Sequence, residues 1–272
     1  MINLNRLDLL ELKQQFNEQQ SIRYVVIGDF IEEGFAKSIA KEHADVPEEY
    51  WLDYSHHNQK KFGLTNKKLM GKNTRLIIEE LSSSNFIEWL SDLTGLDGLI
   101  VDPFLDRAGL HKMHKNGYLN VHTDEQSHTK HKYWKRRLNL LFYLSPDYEE
   151  SWGGQLELWD YKKRKLIESI APVFNRCIIF ATNENSYHGH PKPLNCPEGT
   201  ARRSLAIYYY QKTNKPLNIS STNYISLPGD PLKKRFLIKF NVFLLYLFAM
   251  LKRHTRMDDG AYNKMISYLN KK

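Results

Sequence analysis

The sequence contains a short motif of metal-ligand residue types, His122-Thr123-Asp124, at the end of an apolar run. Side chains two apart on a β-strand point to the same side, so His122 and Asp124 are predicted to face one cavity. A third ligand must come from elsewhere, and His188 follows a second strongly apolar run at 177–180. Two histidines and one carboxylate leave about three metal positions open, a set typical of non-haem Fe(II) oxygenases. His-x-Asp alone is weak evidence, because the chain has 11 histidines and most are expected to be surface or core residues.

A pair of arginines, Arg202-Arg203, opens an otherwise apolar and aromatic run at 204–210. A buried cation needs an anionic partner. A guanidinium suits a two-pronged grip on a carboxylate, and a dicarboxylate that chelates iron at one end presents its other carboxylate to such a group. The alternative is a structural salt bridge or an exposed strand start.

These residues belong to an ordered set of motifs, over about residues 100–211, that resembles the prolyl 4-hydroxylase-like Fe(II)/2-oxoglutarate dioxygenases. The segment from Tyr24 to His43 also matches the start of that family. The motifs are His122-x-Asp124, Asn139-Leu140-Leu141-Phe142-Tyr143-Leu144, Gly153-Gly154-Gln155-Leu156-Glu157-Leu158, Asn175-Arg176-Cys177-Ile178-Ile179-Phe180, Tyr187-His188-Gly189 and Arg203-Ser204-Leu205-Ala206.

The resemblance implies ferrous iron on three ligands and 2-oxoglutarate beside it. It places the distal carboxylate of 2-oxoglutarate on Arg203, with the hydroxyl of Tyr143 as a second partner. The expected residues are His122, Asp124 and His188 for the metal, and Arg203, Tyr143, Asn139, Leu141 and Tyr118 for the cosubstrate pocket.

Two of these assignments have alternatives. The spacing from His188 to Arg203 is longer than usual in the family, through an insertion at 191–200, so either Arg202 or Arg203 fits as the anchor. Arg203 is preferred because its register with Leu205 and Ile207 matches the family's strand. Tyr118 fits a packed aromatic residue equally well.

The activity implied is hydroxylation of an unactivated C–H bond of a proline-like peptidyl residue, or of a glycan or small metabolite. The expected cofactors are Fe(II) and ascorbate. 2-Oxoglutarate and O2 would be consumed, and succinate and CO2 would be released. Two alternatives are a non-catalytic jelly-roll module that binds carbohydrate or protein, and a zinc hydrolase. Zinc catalysis would also need a general base and leaves the buried arginine unexplained.

The chain has 272 residues, of which 41% are hydrophobic and 12% aromatic, enough for a sizeable core. A net charge of +8 can indicate a nucleic-acid partner, but the charge is not evenly distributed along the chain. Residues 230–272 account for +7 of it. The nearly neutral remainder argues against a nucleic-acid partner. Two cysteines and no recognisable secretory leader predict a cytoplasmic protein.

Apolar periodicity predicts helices at 5–19, 31–43 and 73–95, the last split at Ser82-Ser83-Ser84, and a strand at 22–27. Short runs separated by turn residues predict eight further strands, at 109–113, 118–124, 137–144, 154–159, 165–170, 176–181, 186–190 and 203–210. The fold class is α+β: a double-stranded β-helix, the cupin-like jelly roll, with N-terminal helices and a C-terminal helical tail. The expected division is 1–98 for supporting helices, 99–212 for the oxygenase core and 213–272 for linker and tail.

Two basic segments bear on partners. Residues 128–137 follow the metal motif with five Lys or Arg and no acid, and at the cavity mouth they would favour an anionic glycan, small molecule or peptide. Residues 236–251 are almost wholly apolar between basic flanks. The segment 232–256 is therefore expected to pack on the body or a second copy of the chain, or to lie on the inner face of the membrane.

Overall fold

The computed structural model describes residues 2–19, 21–218 and 221–254. Within these residues the chain forms helices α1 (Leu9–Glu18), α2 (Glu33–Ala44), α3 (Lys72–Leu81), α4 (Ser84–Thr94) and α5 (Leu232–His254). The strands are β1 (Tyr24–Ile27), β2 (Leu52–Asp53), β3 (Gln59–Lys60), β4 (Phe62–Leu64), β5 (Leu99–Val101), β6 (Gly109–Met113), β7 (Tyr118–Thr123), β8 (Trp134–Tyr143), β9 (Leu156–Asp160), β10 (Lys165–Ile170), β11 (Cys177–Ala181), β12 (Tyr187–His190), β13 (Arg202–Lys212) and β14 (Asn223–Tyr224).

The strands form two antiparallel sheets. The larger sheet has the order β1-β11-β8-β13-β6-β4-β2, with β5 also paired to β13. The smaller sheet has the order β10-β9-β12-β7-β14, with β3 also paired to β7. Side chains from β8 and β11 of the larger sheet and from β9 and β10 of the smaller sheet share one apolar cluster, so the two sheets pack face to face.

Helices α1 to α4 cover the outer face of the larger sheet. Their apolar sides join the outward residues of β8, β11 and β13 in a single core, and Leu81, Leu90 and Leu93 are fully buried there. The serine run ends one helix and begins the next: the Ser83 side chain caps the N-terminus of α4 by accepting from the Phe86 amide at 3.3 Å. Gly95 closes α4 with a φ of 71°, a left-handed conformation that glycine adopts without strain.

The predicted helices and the eight predicted core strands are confirmed, with boundaries shifted by a few residues. Five short strands, β2 to β5 and β14, were not predicted. The predicted linker contains β14 and the predicted tail begins with α5, while positions 219–220 and 255–272 of these segments lie outside the described residues. No helix in the described ranges is both long enough and apolar enough to cross a bilayer.

Candidate active site

The two histidines and the aspartate of the predicted metal site lie close together on two paired strands and at the end of one of them. His122 on β7 stands directly opposite His188 on β12 in the antiparallel register. Asp124 follows the end of β7, and its two carboxylate oxygens lie 3.6 Å from His122 Nε2 and 3.5 Å from His188 Nε2. One ligand atom from each residue lies within 4.8 Å of the others, which is close enough for all three to bind one ion.

Both imidazoles are oriented by backbone carbonyls. The Nδ1–H of His122 donates to the carbonyl of Asn120, and that of His188 donates to the carbonyl of Ser186, each at 2.9 Å. This arrangement leaves the Nε2 lone pairs facing the centre, as metal-ligating histidines require. Burial lowers the pKa of His188 to about 4, so its ring is neutral at neutral pH and free to donate to a cation.

Two residues of β8 hold the carboxylate of Asp124. Asn139 Nδ2 donates to Asp124 Oδ2 at 2.7 Å, and Arg136 Nη2 lies 3.3 Å from the same oxygen. Arg136 Nε also donates to Asn139 Oδ1 at 2.7 Å, and its guanidinium stacks 3.3 Å from the ring centroid of Tyr208. Burial raises the pKa of Asp124, but Arg136 and the two imidazoles outweigh it and hold that pKa well below its usual value.

Arg136 was not predicted, although it lies within the basic segment at 128–137. The register of β8 against β13 shifts between Tyr209 and Tyr210, which pair with Leu138 and Arg136. This bulge at Arg137 lets Arg136 and Asn139 face the same carboxylate although they are three positions apart. Strict alternation along the strand would have placed them on opposite faces.

Arg202 lies on the inner face of the larger sheet beside Tyr143. Its Nε donates to the carbonyl of Gly154 at 2.8 Å, and its Nη2 lies 3.3 Å from the Tyr143 hydroxyl oxygen. A Cβ at Gly154 would lie 3.0 Å from the Arg202 side chain and 2.8 Å from Leu194, so a glycine is needed for this close approach. Burial raises the pKa of the Tyr143 hydroxyl, with Arg202 opposing the shift.

The structure places the two arginines of the pair on opposite faces of the larger sheet. Leu205 and Ile207, whose register favours Arg203 in the sequence, belong to the core on the helix side of the sheet. Arg203 shares that outer face and is turned away from the two histidines. Arg202, the alternative, points inward, because neighbouring residues on a strand face opposite sides.

Two further predicted pocket residues, Leu141 and Tyr118, lie in different parts of the structure. Leu141 packs with Tyr143 and Ile178 on the inner face of the larger sheet, as expected from alternation. Tyr118 instead lies at the edge of the smaller sheet, where its hydroxyl donates to the carbonyl of His57 at 3.0 Å. Its ring is not part of the cavity lining, so the alternative of a packed aromatic residue describes it better.

His190 is a buried residue of this region that sequence reasoning missed. It follows His188 by two positions on β12 and faces the same side. It is 3% exposed, and neither ring nitrogen has a hydrogen-bond partner among the described residues. Burial lowers its pKa well below the usual value, and the positive charges of Arg202 and Lys61 add to this effect. A buried neutral imidazole without partners is costly, so these nitrogens suit a polar ligand between Arg202 and the histidine pair.

A cavity opens from the candidate metal centre toward the surface. Cations, aromatic rings and histidines dominate its wall. The lining consists of Tyr54, His56, Gln59, Lys61, Arg107, His111, Leu119, His122, Asp124, Glu125, Arg136, Tyr208, Thr222, Tyr224 and Leu245. Of the basic segment 128–137, only Arg136 lines this cavity. Two other residues of the segment make contacts outside this lining: His131 stacks on Trp134 at 4.2 Å, and His128 Nε2 lies 3.4 Å from the carboxylate of Asp102.

Comparison with known proteins agrees with this geometry. Residues 108–210 match the model of the 2OG-Fe(II) oxygenase superfamily. Prolyl 3-hydroxylase OGFOD1 of Mus musculus is 26% identical over 137 residues, which are 49% of this chain and 23% of that protein. The chain thus matches less than a quarter of the length of this curated relative.

Solved structures share the fold at low identity. A prolyl hydroxylase from Trichoplax adhaerens, solved with a peptide of hypoxia inducible factor, has a TM-score of 0.55 at 16% identity, covering 78% of this chain and 94% of its own. A Pseudomonas putida prolyl-4-hydroxylase has a TM-score of 0.52 at 14% identity, covering 74% and 99%. These likenesses confirm the predicted α+β class and its double-stranded β-helix core.

The likeness to the 2OG-Fe(II) oxygenase superfamily thus covers residues 108–210 of this chain. The predicted resemblance to prolyl 4-hydroxylase-like members is confirmed, since the relatives named above are prolyl hydroxylases. Fe(II), 2-oxoglutarate and O2 are the cofactor and cosubstrates of this superfamily, as predicted. Ascorbate stays a prediction.

Proposed function

We propose that this chain is an Fe(II)- and 2-oxoglutarate-dependent dioxygenase that hydroxylates an unactivated C–H bond and releases succinate and CO2. The observation that supports it most is the approach of His122, Asp124 and His188 within 4.8 Å, inside the segment that matches the superfamily. A non-catalytic binding module has no need of this ligand set beside a buried arginine.

Iron would be held by His122 Nε2, His188 Nε2 and the Asp124 carboxylate. Bound Fe(II) and 2-oxoglutarate, together with O2 as the oxidant, would supply the oxidation of the C–H bond. The chain itself fixes the ligand atoms: the carbonyls of Asn120 and Ser186 orient the two imidazoles, and Asn139 and Arg136 orient the carboxylate.

The far carboxylate of 2-oxoglutarate would lie on Arg202 and the Tyr143 hydroxyl. Arg202 is buried, and no carboxylate of the described residues is in ion-pair contact with it, so an anionic ligand would balance its charge. His190 would donate or accept one hydrogen bond toward the same molecule, which would satisfy one of its two orphaned nitrogens. Leu141 would close the apolar side of the pocket.

The substrate would be a proline-like peptidyl residue, or a glycan or small metabolite, with an anionic group. The prolyl hydroxylase relatives support the first class. Lys61 supports the anionic group: it lines the cavity, and among the described residues no carboxylate lies within ion-pair distance of its Nζ. Two other cavity cations have acidic partners, since Arg107 pairs with Glu125 at 2.6 Å and Arg136 with Asp124.

The proposed place of action is the cytoplasm, either away from the membrane or at its inner face. The segment 232–256 would provide the contact, either with lipid or with a second copy of the chain.

An anaerobic titration tests the metal centre directly. Fe(II) and 2-oxoglutarate added without O2 should give the weak visible charge-transfer absorption of the chelate, and succinate should form when O2 enters. His188→Ala should lose both signals because it removes one ligand atom. His131→Ala is the matched control, since this ring lies outside the cavity, and it should keep both.

Wild-type protein with neither absorption nor succinate would favour the binding module. Full absorption in His188→Ala would remove that residue from the metal. Mass spectrometry of candidate peptides and glycans, searched for products one oxygen atom heavier, then identifies the substrate.

A further inference from the structure

Helix α5 packs on the smaller sheet beside the cavity. Its inner face buries Ile238 and Leu245 against Tyr224 and Leu119. Leu245 and Tyr224 also line the cavity, so α5 forms part of its wall.

A line of amides fixes α5 to the strand that carries the first histidine. Asn58 Nδ2 donates to the side-chain oxygen of the buried Asn241 at 2.9 Å, and Asn120 Nδ2 donates to Asn58 Oδ1 at 3.0 Å. The Asn120 carbonyl in turn accepts from His122 Nδ1. We name this set, Asn241, Asn58 and Asn120, the amide line. It establishes which face of α5 is inner.

The described side chains on the outer face of α5 form an apolar, exposed stripe. Phe236, Phe240 and Phe243 are 69%, 51% and 56% exposed, and Leu247 is also exposed. At 3.6 residues per turn these four positions fall within about 60° of arc. The rings of Phe236 and Phe240 stack in parallel at 6.4 Å. Such a contiguous stripe is unusual for a soluble surface and indicates a contact site.

Positive charge surrounds this stripe. The sequence of α5 contains six Lys or Arg and no acid. Lys233 and Lys239 fall on either side of the arc by helical geometry, and Lys234 is already paired with Asp230 at 2.7 Å. The partner of this face therefore offers an apolar layer bordered by negative charge.

We propose that the outer face of α5 docks on an anionic lipid bilayer. A second copy of the chain fits less well, because any pairing of two such faces brings cations together with no acid on either helix. Aromatic and aliphatic side chains between lysines are typical of a helix that lies in the membrane interface. No helix in the described ranges can span the bilayer, so α5 lies along the surface. This inference does not depend on the proposed oxygenase activity.

Docking would place the cavity close to the membrane. A helix with its side chains is about 10–12 Å across. The wall formed by Leu245 and Tyr224 would then lie about one helix diameter from the lipid headgroups, within reach of a substrate attached to a lipid.

Vesicle flotation with the full chain tests the proposal. The wild type should float with vesicles of phosphatidylcholine containing phosphatidylserine, and bind vesicles of phosphatidylcholine alone at least tenfold less. Phe240→Ser combined with Phe243→Ser should reduce flotation at least tenfold. Phe104→Ser removes a ring that lies outside α5 and is more exposed, at 79%, and this variant should float like the wild type. Thermal unfolding of each variant, compared with the wild type, shows that the fold is kept.

Two lysine variants test whether flotation requires positive charge on α5. Lys239→Glu should weaken flotation severalfold and more strongly at low salt. Lys13→Glu, an exposed lysine on α1, should leave it unchanged. Failure of the wild type to float on anionic vesicles overturns the proposal. Sedimentation that shows a dimer, lost in the double phenylalanine variant and present without vesicles, assigns the face to a second copy and also overturns it. Succinate formation is measured separately, so a failure here leaves the proposed activity standing.

Discussion

The two faces of the larger sheet differ although the same strands build both. Apart from Arg203 near the start of β13, the outer face of β8 and β13 is mainly apolar, and it packs against α1 to α4. The inner face carries polar groups that contact one another around the candidate metal and cosubstrate positions. The outer residues are Leu138, Leu140, Phe142, Leu205 and Ile207, and the inner ones are Arg136, Asn139, Tyr143, Arg202 and Tyr208.

Residues that stabilise the core and residues of the candidate site therefore alternate along the same strands. A residue and its neighbour differ by one position in sequence and by the thickness of the sheet in space. Neighbouring substitutions of similar size should therefore separate into two phenotypes, loss of ligand binding and loss of folding stability.

The arginine pair gives the largest contrast. Arg202→Gln should weaken 2-oxoglutarate binding by about 2 kcal/mol or more, at least about thirtyfold, because it removes the buried charged partner of a carboxylate. Arg203→Gln should change it by no more than about 0.5 kcal/mol, as for a substitution away from the ligand. The measurement is a titration of the anaerobic chelate absorption at fixed Fe(II). A larger loss in Arg203→Gln would return the assignment to the residue that the sequence favours.

The next pair compares ligand support with core packing. Asn139→Ala should lower metal affinity about 10–100-fold, because it removes a hydrogen bond that orients Asp124. Leu140→Ala should leave metal affinity unchanged and lower the free energy of unfolding by about 2–5 kcal/mol. Metal titration and urea unfolding of both variants provide the test. Equal metal affinities in the two variants would mean that the amide does not support the carboxylate.

The smallest effect is expected for anion binding at Lys61, which lies on the cavity wall. Burial lowers the pKa of this amine to about 8. The protonated form attracts an anion, so sulfate, whose charge is constant in this range, should bind about tenfold more weakly at pH 9 than at pH 7. Lys61→Met should bind sulfate weakly at both values. Thermal stabilisation by sulfate measures this, and a wild-type response independent of pH would exclude the amine from anion binding.

Most of the fold could be predicted because its longer elements have clear periodicity. The serine run at 82–84 marked the break between α3 and α4, and apolar runs marked the eight core strands. The strands β2, β3, β4 and β14 have two or three residues, too few to show alternation. They form because a longer strand offers free edge groups: β3 and β14, for example, both pair with β7.

The site could be predicted in part for the same reason. The His-x-Asp motif and the histidine on β12 depend on alternation in regular strands, and the structure brings them together. Arg136 could not be predicted because a bulge changes the phase of β8. The two arginines differ by one position, and a shift of one residue exchanges the faces of a strand. Only the pairing of β13 with β8 resolves that choice.

The amide line has a mechanical consequence for α5. Each of its side chains can meet its partner in only one position of the helix, so sliding α5 by a single residue would break the contact between Asn241 and Asn58. The same line ends on the carbonyl that orients His122, so three consecutive hydrogen bonds connect the helix to this imidazole. The position of α5 and the orientation of the His122 ring are thus linked by hydrogen bonds in this protein.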